Sequence, residues 1–164
     1  MKSRTNRTAA FVTAALFLSG CSASSKSHDG SHVNSITASG VTREYRAEQA
    51  SLTLAPGHSW PADPTPKSVA DDGRKIVFQP GYGTTRADLF WFCTWEHQFV
   101  DPANSDAEHY SALQTMLTVH GTYFYKNSLA PADKAFFDGI LDAAGLGDNS
   151  KVQNNLRNCT PESK

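Results

Sequence analysis

The stretch Thr85-Arg86-Ala87-Asp88-Leu89-Phe90-Trp91-Phe92-Cys93-Thr94-Trp95-Glu96-His97-Gln98-Phe99-Val100 carries an apolar pattern with the spacing of a helix. Leu89, Phe92, Cys93, Phe99 and Val100 share one face, with Trp91 and Trp95 beside them. Thr85 followed three residues later by Asp88 has the form of a capping start, and Asp101-Pro102 is a stop.

Outward toward the C-terminus, Ser105 with Glu108 forms a stronger capping box and opens a second helix that aligns Tyr110, Leu113, Leu117 and His120. That helix ends near Gly121 or continues through Tyr123, Phe124 and Tyr125. A third starts at Pro131, a residue suited to the first helical turn, and closes at Gly145 after Phe136, Ile140, Leu141 and Ala144. A short fourth, opened by Ser150, carries Val152 and Leu156 toward Cys159.

Outward toward the N-terminus the signals change. Tyr45 to Leu54 includes the alternation Ser51-Leu52-Thr53-Leu54, and Arg74 to Gln79 holds Ile76-Val77-Phe78 between turn signals at Asp72-Gly73 and Pro80-Gly81. These are two strand candidates, separated by a loop with Pro56, Pro61, Pro64 and Pro66. The expected architecture is therefore α+β: a small antiparallel β-hairpin packed on a helix-dominated layer of three to four helices. Gly81-Tyr82-Gly83 before the aromatic helix lacks the further glycines and lysine of a phosphate loop and reads as a turn.

The first residues have a different grammar. Lys2, Arg4 and Arg7 precede an apolar run from Ala9 to Leu18, followed by Ser19, Gly20 and Cys21. The apolar run is about half the length a helix needs to cross a bilayer. Leu18-Ser19-Gly20-Cys21 resembles the lipobox of bacterial lipoproteins, a resemblance confined to residues 1–21. It implies that residues 1–20 are a cleaved signal peptide and that Cys21 receives a diacylglyceryl group. Two or three acyl chains make a durable anchor, at about 0.8 kcal/mol per buried CH₂. The expected address is the extracytoplasmic face of a cell membrane, reached through a lipid without a spanning helix.

Residues 21–44 follow as a flexible tether, because Ser22 to Val41 contains seven serines and two glycines. Its His28 and His32 read as solvated side chains. Residues 45–164, about 120 in all, form one globular domain. Removing Lys2, Arg4 and Arg7 from 15 basic residues leaves 12 against 16 acidic ones. That balance, with no basic cluster, argues against nucleic acid as a partner.

With Cys21 acylated, only Cys93 and Cys159 remain, and an exported chain matures in an oxidising compartment. One disulfide between them is expected to act as a staple. Glu96 is the most conspicuous polar residue, because a helical wheel sets it between Leu89, Phe92, Phe99 and Val100. A carboxylate there needs a partner or a raised pKa. It reads as a buried anchor, or as an acid in a cleft with His120 as companion, although nothing in the sequence places the two together.

His58, His97, His109 and His120 lack the spacing of a helical metal clip, and no Gly-x-Ser-x-Gly elbow occurs. No metal or cofactor is expected. Trp91 and Trp95, with Trp60 in the proline loop, are core packing or an aromatic surface for a glycan or an envelope protein. The leading functional expectation is a membrane-anchored binding or accessory module of the cell envelope. The alternative is a small envelope hydrolase or metal-dependent enzyme using Glu96 and histidines.

Overall fold

A computed structural model of the chain describes residues 34–159. The signal peptide expected at residues 1–20, Cys21, His28 and His32 lie outside the described residues. Helix α1 spans Ala38–Gln49, α2 Tyr82–Val100, α3 Asp106–Leu117, α4 Pro131–Gly145 and α5 Ser150–Asn155. Among the described residues there is no strand or sheet, so the expected β-hairpin and the α+β class are corrected to a helical domain.

The first strand candidate, Tyr45 to Leu54, is divided between a helix and an irregular segment. Thr37 caps α1 by accepting the Gly40 amide at 3.4 Å, and Val41 and Tyr45, one turn apart, are fully buried. Residues 38–44, assigned by composition to the tether, therefore belong to a packed helix. Past its end, Leu52 and Leu54 lean on the core while Ser51 and Thr53 are exposed, which is the alternation visible in the sequence. No second strand answers it. The backbone is met by side chains of α2: the Trp95 indole donates to the Thr53 carbonyl at 3.0 Å, and the Ala55 amide donates to Thr94 Oγ1 at 3.3 Å.

The second candidate, Arg74 to Gln79, makes single bridges only, Lys75 with Val69 and Phe78 with Ile36. Asp72-Gly73 is a tight turn, as its composition suggests, with Gly73 in the left-handed region at φ 84°. The intervening proline loop is fixed by Trp60, whose ring packs edge-on to Tyr45 at 5.7 Å and against Phe90 at 5.3 Å.

Helix α2 is the centre. Gly83, Ala87, Trp91 and Thr94 are buried along one side, and Asp88, Phe92, Glu96 and Phe99 along another. A helix buried on two sides needs neighbours on both, and α1 and α3 provide the main ones, with α5 meeting it as well. At its start α1 approaches so closely that a Cβ on Gly83 would lie 2.2 Å from the Val41 carbonyl oxygen. Glu44 exploits this proximity. Its two carboxylate oxygens accept the Gly81 amide at 2.9 Å and the Gly83 amide at 3.0 Å, so a carboxylate from α1 fills the anion position at the positive end of α2. The expected cap by Thr85 and Asp88 is thus replaced: Thr85 bonds Ser128, and Asp88 is buried.

The C-terminal half follows its local signals. Ser105 and Glu108 form a complete capping box, α4 begins on Pro131, and α5 begins at Ser150. After α3 the chain tightens into a 3₁₀ turn over Thr118–Gly121 and then widens into a π turn over Phe124–Ser128. Cys93 on α2 is bonded to Cys159 beyond α5, closing a separation of 66 residues. On chain-entropy grounds that closure stabilises the fold by about 4 kcal/mol.

Candidate functional site: a phenylalanine cavity with a buried acid behind its wall

A cavity of about 450 Å³ opens beside α2, α4 and the chain beyond α5. Leu89 and Phe90 of α2, Phe124, and Phe136 and Phe137 of α4 form much of its apolar wall. Helical spacing explains the arrangement, since Leu89, Phe92 and Cys93 point to one side of α2 and Phe137 packs against both Phe92 and Phe124. Phe136 is 55% exposed and forms the accessible part of that wall. Polar groups are few: Arg86 and Asp133 on one part of the lining, and Asn155, Asn158 and the disulfide on another.

Behind this last part lies Glu96, with no accessible surface. The Asn155 side-chain amide donates to its Oε1 at 2.9 Å and lies 3.0 Å from Oε2. Burial drives its pKa up to about 8, opposed in part by the Asn155 bond. At neutral pH Glu96 is therefore an uncharged acid carrying a proton. Oε2 lies 3.5 Å from Cys159 Sγ. A disulfide sulfur has no hydrogen to give, so the carboxyl O–H is the donor in that contact.

A second carboxyl of α2 is also buried. Asp88 Oδ2 accepts the Phe124 amide at 2.8 Å, while Oδ1 makes no direct hydrogen bond among the described residues. Burial raises its pKa to about 6, with the Glu48 carboxylate adding to the shift.

His120 is not brought to Glu96. Its Nδ1 is bonded to the Leu117 carbonyl at 2.9 Å and its Nε2 to Asp138 Oδ1 at 3.0 Å, an oxygen that also accepts the Tyr125 hydroxyl at 2.8 Å. Both ring nitrogens face acceptors of their own, and neither is bonded to Glu96. The bonds from His120 and Tyr125 hold the Asp138 pKa below its ordinary value.

The tryptophans do not form a common surface. Trp91 is buried, Trp95 is half-buried with its indole committed to Thr53, and Trp60 wedges the proline loop. His58 stacks on His97 at 6.0 Å, and its pKa is lowered by burial and by that neighbour.

The cluster was partly visible in the residues. Glu96 on an apolar face is its signal, and the one signal for Asn155 is its place one turn after Val152 on the buried side of α5. Phe124, Phe136 and Arg86 join the site only through tertiary packing. Comparison with family models, curated proteins and solved structures found no match to this chain.

Proposed function

We propose that this protein is a lipid-anchored binding module of the cell envelope, tethered through Cys21, whose ligand is a small apolar or aromatic molecule taken into the phenylalanine cavity. The cavity carries the reading. Small-molecule sites are concave, mostly apolar and furnished with a few polar groups, and this one combines exposed Phe136 with Arg86, Asp133, Asn155 and Asn158 at its margins. A glycan is less well served, because the tryptophan rings that would form its platform are buried or committed. A hydrolase built on Glu96 and His120 lacks support, since each side chain is engaged with separate partners. Among the described residues no helix is long and apolar enough to cross a membrane.

Titration with the dye 1-anilinonaphthalene-8-sulfonate tests the cavity: Phe136→Ser is expected to weaken binding at least tenfold while leaving the circular dichroism unchanged. Equal binding by the variant would refute the site. Separately, mass spectrometry of the membrane-extracted product is expected to show a diacylated N-terminal Cys21. An intact residue 1 would refute the anchor.

A further inference from the structure

Five features of the disulfide and its surroundings go beyond what a staple requires. Both cysteines are only half-buried, and both line the phenylalanine cavity. A fully buried carboxyl stands 3.5 Å from one of the two sulfurs. That carboxyl has no cationic partner among the described residues. Asn155 places its amide 2.9 Å and 3.0 Å from the two carboxyl oxygens, which suits the ionised form as well as the neutral one.

We propose that Cys93–Cys159 is a redox-active disulfide that exchanges with a dithiol, with Glu96 as the proton donor to Cys159. The inference goes beyond the ligand-binding reading and does not depend on it.

The step balances as follows. A thiolate of the external dithiol attacks Cys93 Sγ, forming a mixed disulfide as the Cys93–Cys159 bond breaks. The bonding electron pair goes to Cys159 Sγ, which takes the Glu96 proton and departs as a thiol. Glu96 becomes a carboxylate held by Asn155. The second sulfur of the dithiol, also as a thiolate, attacks the external sulfur of the mixed disulfide and releases Cys93 as a thiolate. The dithiol is oxidised by two electrons to a cyclic disulfide, and the protein disulfide is reduced by the same two. Water supplies the protons that restore Glu96 and neutralise Cys93.

Departure as a thiol avoids placing a thiolate beside an apolar wall, which is where a donor is most valuable. The raised pKa of Glu96 keeps the donor loaded at neutral pH. Among the described residues no charged group perturbs its titration: His97 lies against His58, His109 is bonded to the Phe99 carbonyl, and Lys151 is bonded to the Gly139 carbonyl.

The test is the reduction of the folded full chain by dithiothreitol across pH 6 to 9.5, with the rate divided by the thiolate concentration. The wild-type constant should be flat on the acid side and fall above about pH 8. Glu96→Gln, which keeps the size and the Asn155 bond, should be at least tenfold slower at pH 6.5 and should show no fall. In concentrated guanidinium the two proteins should react alike. Equal rates and profiles for the folded proteins would overturn the proposal. So would a wild-type profile without the break, whatever the behaviour of the variant, or a rate independent of dithiothreitol concentration.

Discussion

The two halves of α2 each bury one carboxyl, and they handle it in opposite ways. Asp88, in the N-terminal half, accepts a backbone amide from Phe124, and its pKa rises only to about 6. Glu96, in the C-terminal half, has one neutral amide donor, Asn155, and its pKa rises to about 8. At neutral pH the first is charged and the second is not. Burial is the largest cause in both and shifts Glu96 further, while the Phe124 amide opposes it at Asp88 and the Asn155 amide opposes it at Glu96. The balance of the two decides whether a buried acid is a fixed charge or a proton store.

The largest expected effect concerns Glu96. Its folded pKa lies above the ordinary value of 4.5, so the stability it contributes is fully present below that pH and is lost as the pH rises through 8. At about 1.4 kcal/mol per pKa unit, that loss is about 5 kcal/mol. Urea unfolding from pH 4.5 to 8.5 should show it, and Glu96→Gln should remove that part of the slope while matching or exceeding wild-type stability at pH 7. A variant as pH-sensitive as wild type would erase the contrast between the two halves.

Asp88 should give a smaller and earlier loss, about 3 kcal/mol, as the pH rises from its ordinary 3.8 through about 6. Asp88→Asn should flatten the curve only there, a window that overlaps the lower part of the Glu96 window but ends near pH 6, so only Glu96→Gln flattens the part from about 6 to 8. The exposed carboxyls of Asp63, Asp72, Glu108, Asp138 and Asp148 act in the other direction. Hydrogen bonds depress their pKa values, so their contributions disappear as the pH falls below the ordinary carboxylate range.

Glu44 should give the smallest change. Glu44→Gln keeps one acceptor but loses the second amide bond and the charge at the start of α2, for about 1 kcal/mol in thermal or urea unfolding. A null result would mean that the close approach at Gly83, rather than the carboxylate, joins α1 to α2.

The division between legible and hidden structure follows the range of the interactions. Ser105 with Glu108, Pro131 and Ser150 mark helix starts through contacts within a single turn, and the structure begins helices at each of them. Helix α1 was hidden because serine and glycine dominate its neighbourhood, and its stability comes from Val41 and Tyr45 packing on a segment some forty residues away. The Leu52 and Leu54 alternation was real as a burial pattern, but alternation does not reveal whether the backbone partner is a strand or a pair of helix side chains. The disulfide was legible by elimination. Its proximity to Glu96 was not, because the contact joins residues 63 positions apart.

The contrast within α2 and the redox role proposed for the disulfide both depend on Glu96 holding its proton at neutral pH. Side-chain carboxyl ¹³C chemical shifts, followed by NMR through a pH titration of the folded protein and assigned with Glu96→Gln, read that proton directly. A midpoint near 8 for Glu96, with Asp88 near 6, is the expected result. A Glu96 midpoint in the ordinary range around 4.5 would contradict the account.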